Sequence, residues 1–256
     1  MLLALDIGNS QTSYGIFENK KLLYHWRSES KPTRTADEYA AFLFPLLQNA
    51  NLLKGPWEGI AICSVVPPVE QVFEVFCKQY LKMTPFKVRH EARLPFTLNV
   101  DMPQEVGADR IANTAYAVSH LNLPAIVVDL GTATTLDVIT ANKTYEGGAI
   151  LPGIRMGFDS LSSKTSLLPM VDVGFPSSPI GKNTATCIQS GILFGYIDAI
   201  DGLVQRTEKQ LGSKCDIALT GGLSELLSKH LKSKHRLLPN LTLEGIEILF
   251  QLNSKV

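Results

Sequence analysis

The sequence has no excess of charge of either sign, no paired cysteines and no long apolar run. Each absence removes a class of function. Lys plus Arg and Asp plus Glu both number 24 over 256 residues, so the formal net charge is zero. That balance leaves no overall electrostatic footprint for nucleic acid or an anionic membrane, and neither is expected as a partner. A local basic patch remains compatible with a neutral total. No stretch approaches the ~20 apolar residues that a bilayer-crossing helix needs. The opening Met1-Leu2-Leu3-Ala4-Leu5-Asp6 has no positive segment and meets a carboxylate at once, so no secretory signal is expected there. The four cysteines, Cys63, Cys77, Cys187 and Cys215, form no C-x-x-C. Three lie in apolar surroundings and are read as small buried hydrophobes of a reducing, cytoplasmic setting. The five histidines are scattered, and no Cys/His set has zinc-ligand spacing.

Two familiar phosphate loops are missing as well. A Walker A loop needs G-x-x-x-x-G-K-[ST] before a helix. The nearest stretch, Gly181-Lys182-Asn183-Thr184, has Pro176 at the first glycine position and Asn183 at the hydroxyl position. No G-x-G-x-x-G follows the first strand, and the next element reads as β rather than α.

What is present is an internal repeat. Leu2-Leu3-Ala4-Leu5-Asp6-Ile7-Gly8-Asn9-Ser10-Gln11-Thr12 returns, about half the chain later, as Ala125-Ile126-Val127-Val128-Asp129-Leu130-Gly131-Thr132-Ala133-Thr134-Thr135. Asp6 aligns with Asp129, Gly8 with Gly131 and Thr12 with Thr135. Each copy opens a three-stranded meander: strands over 2–7, 12–18 and 21–27 in the first, and over 125–130, 134–140 and 144–150 in the second. Turns are expected at Asn19-Lys20 and at Ala141-Asn142-Lys143. In the first half the pattern predicts a helix over 36–49 broken or bent by Pro45, a buried strand over 59–64, and helices over 68–81 and 109–121. In the second half it predicts a helix over 184–211, a strand over 215–219, and helices over 223–233 and 242–251, with fraying in the last few residues. Two duplicated α/β lobes that each begin with a meander are the organisation of the actin-like ATPase (ribonuclease H-like) fold. The lobes are expected at 1–121 and 122–256, with a nucleotide cleft between them.

Each Asp-x-Gly loop ends a buried strand and enters a tight hairpin. Asn9, Ser10, Thr12, Thr132, Thr134 and Thr135 set side-chain donors beside free backbone amides, and such a concave row of donors takes phosphate oxygens. One copy alone would be read as a capped turn. Two copies, at matched places in matched meanders, point to a polyphosphate gripped from both sides. Asp6 would hold hydrated Mg²⁺, which keeps most of its waters. The strand Asp216-Ile217-Ala218-Leu219-Thr220 ends in Gly221-Gly222, where a flat adenosine can approach the backbone.

A carboxylate beside a guanidinium, Asp109-Arg110, opens the helix at 109–121. Asp109 can accept a hydrogen bond from an attacking hydroxyl and aim its lone pair. An ordinary Asp pKa of ~3.9 would suffice, because phosphoryl transfer depends more on orientation than on strong basicity. Arg110 can bind a carboxylate or neutralise phosphoryl charge.

Four blocks together resemble the signatures of type III pantothenate kinases. They are Asp6-Ile7-Gly8-Asn9-Ser10, Gly107-Ala108-Asp109-Arg110, Asp129 through Thr135, and Gly147-Gly148-x-Ile150-x-Pro152-Gly153. Weaker echoes are Arg34 to Tyr39, Ser64-Val65-Val66-Pro67 and Leu241 to Gly245. The resemblance implies transfer of the γ-phosphate of ATP to the primary hydroxyl of pantothenate, the first step toward coenzyme A. It implies Asp109 as the catalytic acceptor, with Gly107, Ala108, Asp109, Arg110 and Thr184 contacting pantothenate. It places ATP on Asp6, Ile7, Gly8, Asn9, Ser10, Gln11, Thr12, Ser13 and Thr132, and K⁺ or NH₄⁺ on Asp129. It also implies a homodimer. Two departures stand out: Val100 where many members carry Tyr, and Cys63-Ser64 where two serines are common. Gly191 and Gly195, one turn apart on the long helix beside Ile188, Ile192, Ile197 and Ile200, independently suit close approach of a second helix. Gln189, Asp198 and Asp201 in that helix speak against a membrane role. The alternatives are an actin-like kinase of another small alcohol, or a nucleotide-binding accessory protein without turnover.

Overall fold

The computed structural model describes residues 1–53 and 55–254. They form two compact units. The first comprises Met1–Thr97, Asp101–Ser119 and the chain from Asn240 onward; the second comprises Leu98–Val100 and His120–Pro239.

The first unit begins with the expected meander: β1 (Leu2–Ile7), β2 (Gln11–Glu18) and β3 (Lys21–Glu29). Asn19 and Lys20 both have positive φ, as a two-residue hairpin of this twist requires. Then come α1 (Ala36–Asn49), β4 (Gly59–Ser64), α2 (Pro67–Phe76), β5 (Phe86–Lys87), the short β6 (Thr97–Leu98) and α3 (Ala108–His120). The sheet order is β3-β2-β1-β4-β5, with β1 antiparallel to β2 and parallel to β4. β1 and β4 are unbroken apolar runs because both of their faces are covered. Leu3, Leu5, Ile7, Ile60 and Ile62 pack with Tyr39 and Leu43 of α1 and Val69 and Phe73 of α2.

Pro45 does not break α1, which is continuous across it. Thr35 and Glu38 form a capping box at its start, and Tyr39, Ala40, Leu43 and Leu47 bury one face. These contacts outweigh the one backbone bond that proline removes. The helix expected over 68–81 begins one residue earlier. It closes in a π-helical turn, Cys77–Leu81, that stops at Lys82 in left-handed geometry.

The second unit repeats the plan with β7 (Ala125–Leu130), β8 (Ala133–Ile139), β9 (Thr144–Pro152), α4 (Ile154–Lys164), α5 (Thr184–Leu211), β10 (Asp216–Thr220), α6 (Ser224–Ser228) and β11 (His235–Leu237). Its sheet order is β11-β10-β7-β8-β9-β6. Apart from β6, this is the strand order of the first sheet. The register refines the repeat. Asp6 pairs with Ser13 and Ile7 with Thr12, whereas Asp129 pairs with Thr135 and Leu130 with Thr134. The second loop is therefore one residue shorter, and the counterpart of Thr12 is Thr134 rather than Thr135. Both of those threonines are buried.

The sequence reading passed over α4, although Ile154, Phe158 and Leu161 at i, i+4 and i+7 set one apolar face against the core. The helix expected over 223–233 shrinks to α6, since the chain beyond it is held by side-chain hydrogen bonds from α5. By length and composition α5 could cross a membrane. Here its Ile188, Leu193, Ile197, Ile200 and Val204 belong to the core of the second unit. Gly191 and Gly195 lie on the exposed face of α5, with open space where a side chain would be.

The last helix, α7 (Leu241–Ser254), belongs to the first unit, unlike in the division at residue 121. It packs on β1, β2 and β4, and Thr242 donates a buried hydrogen bond to Asn113 of α3 at 2.8 Å. The expected fraying beyond Ser254 lies outside the described residues.

Candidate active site

In the first unit, β1 ends at Asp6-Ile7 and the chain turns through Gly8-Asn9-Ser10-Gln11. Gly8 donates its amide to the Gln11 carbonyl at 3.0 Å, which closes the turn. Asn9, Ser10 and Gln11 are exposed. Thr12 is not: its hydroxyl is buried and bonded to Ser30 Oγ at 2.8 Å, while the Ser10 carbonyl accepts from the Ser30 amide. Thr12 thus anchors the loop to the end of β3, and the loop tip presents the donors.

Register places Cys63 of β4 opposite Asp6 and Ser64 opposite Ile7. The buried Cys63 thiol is pushed well up, first by burial and then by the negative charges of Asp6 and Asp109. Asp6 and Asp109, distant in sequence, therefore act on one corner of this unit. Ser64 accepts the Val66 amide at 3.1 Å as the chain enters α2.

Asp109 sits in the first turn of α3, and its Oδ1 accepts the Arg110 amide at 2.8 Å. The carboxyl folds back over the helix start. A Cβ at Gly107 would lie 2.4 Å from that oxygen, so any larger residue there would push the carboxyl out of this position. Burial raises the Asp109 pKa above its ordinary value, partly offset by the amide and charge of Arg110. The ordinary carboxylate pKa expected from sequence does not apply, because the packed helix start desolvates the group.

Beside Gly107 and Ala108 opens a cavity of about 490 Å³ that also touches Ser64, Val65, Glu70, Lys87 and Arg89. Glu70 is buried on α2 and pairs with Arg89 and with Lys87, the latter at 3.2 Å; Glu74 pairs with Lys87 too. Burial raises the Glu70 carboxyl, but the two cations outweigh it and hold it below its usual range. Sequence reading passed over this network. Its signal was there: carboxylates at i and i+4 of a helix, and cations at i and i+2 of an extended segment, each pair on one face.

In the second unit Asp129 stands one residue before the end of β7, opposite Thr220 of β10, and Gly131 and Thr132 form the exposed turn into β8. Gly221 has φ +91°, and a Cβ there would lie 2.6 Å from Asp129 Oδ1. The carboxylate therefore rests against a position open only to glycine. The structure brings Asp129 and Gly221 together, with Gly222 exposed just beyond. Thr134 is buried and hydrogen-bonded to Tyr196, whose hydroxyl also reaches the Pro152 carbonyl at 2.6 Å. Thr184 is exposed on a separate element, at the first residue of α5. Val100 lies near Gly147, with 3.7 Å from its Cγ1 to the place of a Cβ.

The donor set suits the groups it was expected to hold. Exposed amides and hydroxyls of tight loops match phosphate oxygens. Among the described residues no three His, Cys, Asp or Glu side chains gather for a metal ion. A divalent ion would then be held by one or two carboxylates and water, which is how Mg²⁺ is bound.

Solved structures with this architecture include a ROK hexokinase from Thermus thermophilus, at TM-score 0.54 and 11% identity over 98% of each chain. Another is a protein described as a Baf family transcriptional activator from Campylobacter jejuni, at TM-score 0.63 and 19% identity over 99% of this chain and 100% of that one. They place the chain in the actin-like ATPase and sugar kinase fold. The family model for type III pantothenate kinase matches residues 2–206. A type III pantothenate kinase of Dehalococcoides mccartyi (strain CBDB1) is 41% identical over 252 residues, 98% of this chain and 96% of that one. The chain belongs to the type III pantothenate kinase family.

Proposed function

We propose that this protein transfers the γ-phosphate of ATP to the primary hydroxyl of pantothenate, giving 4'-phosphopantothenate. The observation that carries the reading at the site is Asp109: a desolvated carboxylate, folded over the start of α3 onto the Arg110 amide beside Gly107, in the corner that Asp6 also influences.

In this reading Gly107, Ala108 and Arg110 bind pantothenate together with Asp109, and Thr184 contacts it. Asp109 accepts the proton of the attacking hydroxyl. Desolvation strengthens it as an acceptor and keeps competing water away. The stretch Asp6–Ser13 and Thr132 bind ATP through exposed amides and hydroxyls, with Thr12 fixing its loop from below. Gly221 and Gly222 border the adenosine. Asp6 holds Mg²⁺ through water, and the ion neutralises charge on the phosphate oxygens when bound. Asp129 takes K⁺ or NH₄⁺. The protein works as a homodimer in the cytoplasm, and the open glycine face of α5 suits close helix contact.

An assay of ADP release with and without pantothenate tests the reaction. Release that depends on pantothenate is expected. Release only with another alcohol, or nucleotide binding without release, overturns it. Turnover is expected to be faster in K⁺ or NH₄⁺ than in Na⁺ at equal ionic strength. Equal rates in all three salts remove the role given to Asp129.

A further inference from the structure

The second unit carries another cavity, of about 620 Å³, at the end of the sheet away from Asp129 and Gly221. β7 and β10 run parallel, with Asp216 opposite Ala125 at one end and Thr220 opposite Asp129 at the other. At about 3.3 Å per residue, those ends are roughly 13 Å apart. The cavity opens where the chain enters β10 and β11, so it is separate from the phosphate turn. Its volume lies in the range of sites for small organic ligands.

Its lining is basic in a chain whose total charge is zero. Lys214, Lys232, Lys234 and Arg236 face Glu208 and Asp216. Most of these cations come from the run Lys229-His230-Leu231-Lys232-Ser233-Lys234-His235-Arg236, the local patch that a neutral total conceals. Both carboxylates are already engaged: Glu208 by Lys214 at 2.6 Å and Asp216 by Arg236. Lys232 reaches only the exposed Asp198, at 3.4 Å, and Lys234 has no ion pair among the described residues. Lys234 thus remains to meet an outside anion, and Lys232 is held only by a long, solvent-exposed pair that such an anion can replace. The segment that presents them is held in place. Asp201, buried in α5, accepts the Lys232 and Ser233 amides at 3.0 Å each and the Ser233 hydroxyl at 2.6 Å. Burying a carboxylate is costly unless it is fully bonded, and these three donors fix the loop to the helix.

We infer that this cavity binds a small molecule bearing a phosphate or diphosphate group, with Lys232 and Lys234 taking the anionic end. The Gln205 amide, also in the lining, suits a polar remainder, while that of Asn122 already donates to Asp216 at 3.4 Å. A nucleic acid or membrane surface fits less well, because the cations line a concavity shared with two carboxylates that would repel an extended row of phosphates.

The test uses inorganic pyrophosphate and the full chain, with the ATP loops first saturated by magnesium adenylyl imidodiphosphate. Calorimetry is expected to show one remaining binding event. In K232E/K234E that event should weaken on the order of ten-fold or more, with pantothenate-dependent ADP release and the unfolding midpoint unchanged. If charge reversal lowers the midpoint, K232Q/K234Q serves with the same readout. Unaltered affinity in the lysine variants overturns the assignment, as does loss of the event once the nucleotide analogue is bound. A short DNA duplex or anionic vesicles binding through the same lysines more tightly than pyrophosphate would overturn the small-ligand class.

Discussion

At the level of single residues, the two carboxylates given proposed roles each lie against a glycine of their own unit. Asp109 is desolvated and leans over Gly107; Asp129 leans against Gly221. Asp109→Asn keeps the shape and the acceptor for the Arg110 amide but removes the charge. It should lower kcat on the order of 10²–10⁴-fold, the usual contribution of a positioned proton acceptor, while nucleotide affinity stays near wild type. A turnover number close to wild type would remove the assignment. The stability effect has the opposite sign. A carboxyl whose folded pKa is raised binds its proton more tightly folded than unfolded, so it favours the fold at low pH and opposes it as pH rises through the folded pKa. Asp109→Asn should therefore raise Tm at neutral pH. For the same reason the acid limb of kcat/KM should lie above the range of an unperturbed Asp, and a limb at or below that range would contradict the burial. At the second carboxylate, Gly221→Ala meets both a positive φ and a clash with Asp129 Oδ1. It should destabilise the protein by roughly 1–3 kcal/mol, measured by chemical denaturation, and abolish any preference for K⁺ over Na⁺.

The secondary-structure elements show where sequence reading works. β1, β4 and β7 were legible because buried strands are unbroken apolar runs. The meander turns were legible because Asn19-Lys20 and the residues before Thr144 are turn formers between alternating segments. The long α5 was legible from its own apolar pattern, and the structure adds its Asn183 cap. Where the outcome turns on tertiary contacts, the string is silent. α6 ends early because Asp201, from another helix, captures the loop behind it, whereas the face of α4 (Ile154, Phe158, Leu161) was in the string and was passed over. The site divided in the same way. The duplicated loops and the Gly107–Arg110 block could be found as repeats and motifs. The swap of Thr134 for Thr135 could not, because pairing register depends on a one-residue difference in loop length. Pro45 gives a test at this scale. It stands exposed inside α1, whose cap and buried face hold the helix despite it. Pro45→Ala restores one backbone bond and should raise unfolding free energy by about 1–3 kcal/mol. No gain in denaturant midpoint would mean that the helix has already relaxed around the ring.

The whole chain closes its first unit with its last helix. β1 to α3 form a sheet with helices, but Leu241, Leu243, Ile246, Leu249 and Phe250 of α7 are buried against it, and Thr242 bonds Asn113 of α3 in the interior. At roughly 1.5–3 kcal/mol for each large apolar side chain, those five residues contribute on the order of 10 kcal/mol. That equals the whole net stability of a typical domain. A sheet whose central strands are apolar on both sides cannot leave one side to water. The first unit is therefore incomplete until the last residues are in place, although its Asp6 and Asp109 are encoded in the first half of the sequence. Ending the chain at Pro239 should leave the first unit unfolded or aggregated. The far-ultraviolet dichroism should fall by more than one helix accounts for, and nucleotide binding should be lost. Supplying residues 240–256 as a separate peptide should restore part of both signals, since the missing contacts are noncovalent. A truncated chain that kept wild-type dichroism and bound ATP normally would show that the core of the first unit stands without α7.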